Sequence, residues 1–248
     1  MEKLFGGFVV FVLLSGLIGS MANAADLTSG LVGYWPLDGD FTDLAGDTEG
    51  DLVDGADWVA GYMNLGIEFD GSTGYAAISG FEMITDTLTC VAWIKGWRQS
   101  AWTGIVVGRG GVAFWMGFTD SDTLSYVWNN DAEATWGWRE GPAIPQDEWA
   151  MAAITIEPDK AVAYIYTDAD GLVQNTNKID HIEQLVENLK FGWDECCGAD
   201  RHFVGIIDEV MMYDRALSED EISSLAIGGL AVNAPGDGLA TRWGWIKK

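Results

Sequence analysis

The sequence has little positive charge, and this shortage excludes several classes of partner. Only 13 lysines and arginines stand against 38 aspartates and glutamates, which gives a formal net charge of −25. Nucleic acids and anionic membranes are therefore not expected as partners, because both bind to basic surfaces. Cations are the natural counterparts of such a field, although solubility in a salty medium also explains most of the acidic residues.

Histidines and cysteines are scarce as well, and no catalytic or zinc motif is present. The two histidines, His181 and His202, stand in no recognisable arrangement with serine or cysteine. The three cysteines, Cys90, Cys196 and Cys197, lack the spacing that is typical of zinc sites. Their odd number leaves one free thiol or an intermolecular bond, so we expect at most one disulfide. A bond between the adjacent Cys196 and Cys197 is disfavoured, because it would strain the peptide between them.

Long apolar runs are confined to the N-terminus. Residues 1–24 combine Lys3, a glycine-containing apolar run of 16 residues and a small-residue end at Ala22, Asn23 and Ala24. This pattern predicts a secretory signal peptide that is cleaved near Ala24, with a membrane anchor as the alternative. The run is shorter than the roughly 20 residues that a membrane span requires. We therefore expect a secreted protein, extracellular or periplasmic, with no membrane span in the mature chain.

Short alternating segments fill the rest of the chain. Val, Ile, Tyr, Trp and Phe dominate these segments, and glycine, aspartate and asparagine separate them. This is typical of the many short strands of a β-sandwich or jelly roll. Turn residues in "FDGSTGY" (69–75) and "EPDKA" (157–161) predict two hairpins.

Helices are expected at few places. "SEDE" predicts a helix start in which Ser218 caps the N-terminus and Glu221 completes a capping box. Gly228 and Gly229 end this helix. A weaker helical turn is expected in "HIEQLVENL". No internal repeat is seen, so we predict one domain over residues 28–228, followed by a C-terminal extension over 229–248.

Five segments carry a family resemblance. They are "GLVGYWPLDGDFTDLAGDTEGDL", "GYMNLGIEFDGSTGYAAI", "TLTCVAWIK", "DEWAMAAITIEPDKAVAYIYTDADGL" and "GIIDEVMMYDRALSEDEISSL", spread over residues 30–228. In this order they resemble the laminin-G-like jelly roll of the concanavalin A-like lectin/glucanase superfamily, particularly its bacterial secreted members. The resemblance implies an all-β jelly-roll sandwich with one short C-terminal helix.

The same superfamily contains laminarinase-type glycoside hydrolases, whose carboxylates stand two and four positions apart on one strand. The closing strand here has Asp208, Val210 and Met212 instead. Asp208 and the adjacent Glu209 should point to opposite faces of a strand, and so they would not flank one glycosidic bond. We expect Asp208 to point inward with Ile206 and Val210, held by backbone amides or by a cation. No catalytic residue is assigned, and the protein is not predicted to be an enzyme.

The 13 tryptophans favour a binding function, because flat aromatic rings stack on sugar rings while amides and charged groups bond to hydroxyls. The predicted ligand contacts are Tyr126, Trp128, Asn130, Trp136, Trp138 and Arg139. Tryptophan as core filler is the alternative for each ring. We predict a non-catalytic carbohydrate-binding module with a glycan as ligand. An extracellular protein-interaction or surface-structure module would use the same aromatics for a protein partner.

The loop "LDGDFTDLAGD" is a candidate calcium site. Asp38, Asp40 and Asp43 offer carboxylate oxygens among glycines, which suits calcium. The family resemblance favours a structural calcium and a contribution from Asp208, since the first and last strands of jelly rolls are often neighbours. A solvated acidic loop is the alternative interpretation.

Overall fold

The computed structural model of the protein describes residues 26–108, 114–128, 133–198 and 200–230. The chain is almost entirely β-structure in this part. The strands are β1 (Leu31–Trp35), β2 (Glu49–Val53), β3 (Ala56–Ala60), β4 (Leu65–Asp70), β5 (Tyr75–Ser79), β6 (Glu82–Thr85), β7 (Leu88–Arg98), β8 (Thr103–Gly108), β9 (Phe114–Phe118), β10 (Leu124–Val127), β11 (Ala150–Glu157), β12 (Lys160–Thr167), β13 (Gly171–Asn177), β14 (Gln184–Glu187), β15 (Leu189–Phe191) and β16 (Phe203–Tyr213). The helices are α1 (Glu133–Trp136) and α2 (Glu219–Gly228), and Cys196–Gly198 forms a 3-10 turn.

Two antiparallel sheets pack face to face. The larger has the order β13-β12-β11-β7-β16-β4-β3, with β1 also paired to β16, and the smaller has the order β10-β9-β8-β15-β5-β2. Strands β14 and β6 form a separate pair. This arrangement confirms the predicted jelly-roll β-sandwich.

The central strands are apolar on both faces because both faces of the larger sheet are covered. In β11, Ala152 and Ile154 lie in the core between the sheets, whereas Met151 and Ala153 belong to a second cluster on the outer face. Helix α2 covers one end of that outer face through residues such as Ile222 and Leu225. Burial on both sides explains why β11 does not alternate in hydrophobicity.

The local predictions have mixed outcomes. "EPDKA" is the predicted hairpin, since Glu157 pairs with Lys160. The capping box at Ser218 and Glu221 is also confirmed. "FDGSTGY" is not a hairpin, because β4 and β5 lie in different sheets and its turn crosses between them. "HIEQLVENL" contains β14 and the first residue of β15 rather than a helical turn.

Candidate functional site

The structure places three of the predicted ligand contacts, Tyr126, Trp128 and Trp138, in the core. Tyr126 and Trp128 do share one face of the β10 segment, but that face points between the sheets and both side chains are fully buried. Their polar atoms are satisfied internally. The Tyr126 hydroxyl lies 2.9 Å from His181 Nε2, and Trp128 Nε1 donates to the Ile182 carbonyl at 2.8 Å. The expectation that these two rings form a surface patch is therefore corrected.

Trp136 and Trp138 are separated by the local backbone. Trp136 ends the short helix α1 and is 46% exposed, whereas Trp138 is 8% exposed and packs edge-on against Tyr126 at 5.6 Å. The helical turn breaks the strand-like alternation that would have put both rings on one face. Asn130 lies outside the described residues.

Exposed Trp136 and Arg139 instead meet a tryptophan that sequence reasoning missed. The Trp102 ring centroid lies 6.1 Å from that of Trp136 and 5.9 Å from the guanidinium carbon of Arg139. Arg139 also forms an ion pair with Asp120. Trp102 has φ = +67°, a conformation that is unusual for a bulky side chain and that clusters at functional sites.

Two more residues complete the group around Trp102. The Trp115 ring centroid lies 6.0 Å from that of Trp102, and the Arg201 guanidinium carbon lies 5.8 Å from the same ring. Trp115 Nε1 and Arg201 Nε are buried donors without a hydrogen-bond partner among the described residues. Buried donors are rarely left unpaired, so these two atoms mark a place beside Trp102 where a hydrogen-bond acceptor is missing. We call Trp102, Trp115, Trp136, Arg139 and Arg201 the Trp102 cluster.

The sheet registers place Trp115, against which Trp102 packs, on the outer face of the smaller sheet. Directly paired residues point to the same side of a sheet. One row of such pairs crosses the whole face: Val127, Trp115, Val107, Lys190, Ala77 and Asp51. Beside this row, Gly104 pairs with Gly117, and a Cβ at Gly117 would lie 2.9 Å from the Trp115 ring. The absence of a side chain at Gly117 therefore leaves room for the Trp115 indole.

Arg201 is held in place by a buried carboxylate. Its Nη1 lies 2.7 Å from Asp194 Oδ2, and the Asp194 side chain is 1% exposed. The other oxygen of Asp194 accepts the Cys196 backbone N–H at 3.0 Å. The structure joins Cys196 to Cys197, the pairing that we had considered disfavoured, while Cys90 is a buried free thiol.

The predicted calcium ligands do not converge on one point. Asp43 Oδ1 accepts the backbone N–H groups of Tyr34, Ala45 and Gly46, and Oδ2 accepts the Thr48 hydroxyl. The Asp43 carboxylate is therefore committed to shaping its own loop.

The other three predicted ligands are likewise engaged. Asp40 accepts the Thr42 N–H, and Asp38 binds Asn64 and the N–H of Leu65. Asp208 accepts the N–H groups of Met63 and Glu209, each at 2.9 Å. No group of three or more acidic, histidine or cysteine side chains that could share a metal ion occurs within the described ranges. The four aspartates do not fit a preformed calcium site.

A β-bulge corrects the predicted orientation of Asp208 and Glu209. Pairing between β16 and β7 shifts after Asp208, and Glu209 has φ = +51°. Asp208 pairs with Trp93, which belongs to the outer cluster, whereas Val210 lies in the core between the sheets. Glu209 faces the same outer side, where its carboxylate accepts the Tyr34 hydroxyl at 2.6 Å. The extra residue of a bulge reverses the alternation, so both carboxyls lie on one side.

Both of these carboxyls are almost completely buried, with residue exposures of 0% and 3%. Burial raises the pKa of Asp208 to about 8 and that of Glu209 to about 7. The negative charge of Asp38 adds to both shifts, while hydrogen bonds from Met63 and Tyr34 oppose them. The prediction that backbone amides hold Asp208 agrees with its two hydrogen bonds, and the predicted proximity of first and last strands is confirmed by the β1–β16 pairing.

The chain belongs to a known superfamily. The family model described as concanavalin A-like lectin/glucanases superfamily matches residues 70–223. This is the resemblance that the sequence segments indicated. No curated protein sequence matches the chain. Within the described part, no helix is long and apolar enough to cross a membrane.

Solved structures with the same fold include several domains of larger proteins. Domain 4 of AbnA, an extracellular arabinanase from Geobacillus stearothermophilus solved with arabinotriose, has a TM-score of 0.61 at 17% identity over 79% of this chain and 98% of that one. The binding domain of Paraclostridial Mosquitocidal Protein 1 has a TM-score of 0.58 at 14% identity, with 81% of this chain and 52% of that one covered. Trypanosoma rangeli sialidase has a TM-score of 0.56 at 16% identity, with 79% and 32% covered. These likenesses establish the fold. The chain spans about half of the toxin domain and a third of the sialidase.

Proposed function

We propose that this protein is a non-catalytic carbohydrate-binding module whose ligand lies on the Trp102 cluster. The observation that carries the proposal is the contact of the exposed Trp136 ring with Trp102, whose ring centroid also lies 5.9 Å from the guanidinium carbon of Arg139 and 5.8 Å from that of Arg201. Aromatic rings flanked by a few polar groups are typical of ligand sites. The arabinanase domain solved with arabinotriose has the same fold, which agrees with a sugar as ligand.

The polar groups around the cluster suit a ligand rich in hydroxyls. Arg139 pairs with Asp120, and Arg201 pairs with Asp194, so the positive charges are balanced by carboxylates at the site itself. Trp115 Nε1 and Arg201 Nε add two buried donors that lack an acceptor among the described residues. A sugar offers both donors and acceptors on every ring, and a neutral site does not oppose its binding.

The state of the two buried carboxyls supports a role without hydrolysis. Asp208 and Glu209 have raised pKa values, as catalytic acids often do. They are nevertheless closed off from solvent on the opposite sheet, and Glu209 is bonded to Tyr34. A hydrolase pair must flank an accessible glycosidic bond. We assign these carboxyls to the architecture of the bulge.

Secretion and calcium binding are further parts of the proposal that require their own tests. Residues 1–24 lie outside the described residues, and N-terminal sequencing of the exported protein should begin near Ala25.

A calcium ion would have to bind to lone pairs of Asp38 and Asp208 that accept no hydrogen bond. A fall in melting temperature on chelation that Asp208→Asn abolishes would support the ion, and an unchanged melting temperature would remove it.

A second surface favours the alternative of a protein partner. Tyr62 stacks on Trp93 with a centroid distance of 3.5 Å, and Trp149 and Tyr166 contact this pair edge-on. These rings lie on the outer face of the larger sheet, and Tyr62, Trp149 and Tyr166 are only partly buried. Aromatics of this kind are common in protein interfaces.

A glycan array with three forms of the full-length protein separates the alternatives. Wild type should bind a subset of glycans, and Trp136→Ala should bind them roughly fivefold more weakly while its melting temperature stays close to wild type. Trp149→Ala is the matched control, a partly exposed tryptophan on the other sheet, and should bind as wild type does. Loss of binding in Trp149→Ala alone would move the site to the other sheet. No binding by the folded wild type would reject the carbohydrate function.

A further inference from the structure

The disulfide between adjacent cysteines lies next to the Trp102 cluster. Cys196 and Cys197 form the start of the 3-10 turn between β15 and β16, and the Cys197 residue is exposed. A bond between neighbouring residues closes a small ring around the peptide that joins them, so it restricts the local backbone. Cys197 has φ = +67° and ψ = 17°, a left-handed conformation that a non-glycine residue adopts at some cost.

A continuous series of contacts connects this turn to Trp102. The Cys196 N–H donates to Asp194 Oδ1 at 3.0 Å, and Asp194 Oδ2 holds Arg201 Nη1 at 2.7 Å. The Arg201 guanidinium carbon in turn lies 5.8 Å from the Trp102 ring centroid. The position of Arg201 therefore depends on a carboxylate whose other oxygen is bonded to the disulfide turn.

Burial makes this series sensitive to small displacements. Asp194 is fully buried, so its carboxylate has to be stabilised by hydrogen bonds and ion pairs in place of water. Movement of the Cys196 N–H would remove one of these bonds and leave the carboxylate less well held. The neighbouring Glu195 is also engaged, because it forms an ion pair with Lys190 in the row of paired residues across the smaller sheet. The two residues before the turn, Asp194 and Glu195, are thus both paired, with Arg201 and Lys190 respectively.

We propose that the Cys196–Cys197 disulfide is a redox-sensitive positioning element that holds Arg201 on Trp102, and that its reduction weakens ligand binding. The effect on ligand binding depends on the carbohydrate function proposed above. The effect of reduction on the backbone of residues 193–202 does not depend on that function.

The reaction uses a small dithiol as reductant. One thiolate of the dithiol attacks the sulfur of Cys197, which breaks the S–S bond and forms a mixed disulfide while Cys196 leaves as a thiolate and takes up a proton. The second thiol of the reductant then attacks the other reductant sulfur, the one that is bonded to Cys197 in the mixed disulfide. Cys197 is released as a thiol. Two electrons and two protons pass to the protein, and the reductant becomes a cyclic disulfide.

Hydrogen exchange on the full-length protein tests the positioning role. Dithiothreitol should speed exchange in residues 193–202 at least threefold, leave β7, β11 and β16 unchanged, and be reversed by reoxidation. The variant Cys196→Ser/Cys197→Ser should match the reduced protein without any reductant. Cys90→Ala is the matched control, since this thiol is buried and unpaired, and it should respond to dithiothreitol as wild type does. Equal exchange in oxidised, reduced and serine forms would overturn the proposal.

Binding to the glycan array, measured in the same samples, tests the functional consequence. The reduced and serine forms should bind about tenfold more weakly than the oxidised protein, and reoxidation should restore binding only where both cysteines are present. Unchanged binding in the reduced and serine forms would overturn the proposal while leaving the carbohydrate function intact. No binding even in the oxidised form would reject the carbohydrate function, and hydrogen exchange would still decide whether the disulfide holds the segment.

Discussion

Trp136 and Trp138 stand two residues apart, but their surroundings differ enough to predict opposite effects of substitution. Trp138 is 8% exposed and packs on Tyr126 in the core. Its replacement by alanine leaves a large cavity, which typically costs about 3–5 kcal/mol of unfolding free energy. Trp136 is 46% exposed, so Trp136→Ala should cost roughly 1 kcal/mol or less. Its effect should fall on binding, where one stacked ring contributes about 1 kcal/mol, or roughly fivefold in affinity.

Urea unfolding followed by far-ultraviolet circular dichroism measures the two stabilities without relying on tryptophan fluorescence. Equal slopes of the free energy with urea would show that the variants differ in stability rather than in the extent of unfolding. If both substitutions lowered the unfolding free energy equally, the separation of a core ring from a surface ring would be refuted. If neither did, Trp138 would not belong to the core.

Three further predictions concern stability and covalent structure. Asp208 and Glu209 have pKa values in the folded protein above their unfolded values of about 4, so the folded protein binds more protons than the unfolded chain. The contribution of this pair to the unfolding free energy should therefore fall as the pH rises from about 4 to about 8. A series of urea titrations at different pH, in the presence of a chelator, measures this fall. Glu209→Gln should make it less steep, whereas Glu219→Gln, at an exposed position, should not. A fall as steep as that of wild type in Glu209→Gln would contradict the raised pKa of Glu209. Ser218→Ala should cost about 1 kcal/mol through loss of the α2 cap, and an unchanged midpoint of thermal unfolding would show that the cap is unimportant. Mass spectrometry after alkylation of the unreduced, denatured protein should find a single modified cysteine, Cys90, whereas three modified cysteines would disprove the disulfide.

The fold was accessible from sequence because its evidence is distributed along the chain. Alternation, turn residues and the capping box each depend on near neighbours, and five segments in the right order identify the superfamily. Which sheet a strand joins depends on distant pairing, so "FDGSTGY" has the residues of a hairpin but connects two sheets. The same limitation made "HIEQLVENL" resemble a helix, although it pairs with the strands β6 and β8.

The candidate site was only partly predictable. Trp136 and Arg139 could be selected by residue type, but periodicity could not tell that Tyr126 and Trp128 face the core. Trp102 lies in an irregular segment before β8, and nothing in its spacing distinguishes it. The bulge at Glu209 likewise has no clear sequence signal, since the reversal comes from one backbone conformation that neighbouring strands impose.

The location of the ligand is tested most directly by nuclear magnetic resonance of the indole N–H groups. The full-length protein is titrated with the glycan that binds most strongly on the array, and each tryptophan signal is assigned by substitution with phenylalanine. Our account predicts saturable shifts for Trp102, Trp115 and Trp136, with Trp58 and Trp149 unaffected. Shifts confined to Trp93 and Trp149, on the outer face of the larger sheet, would contradict it.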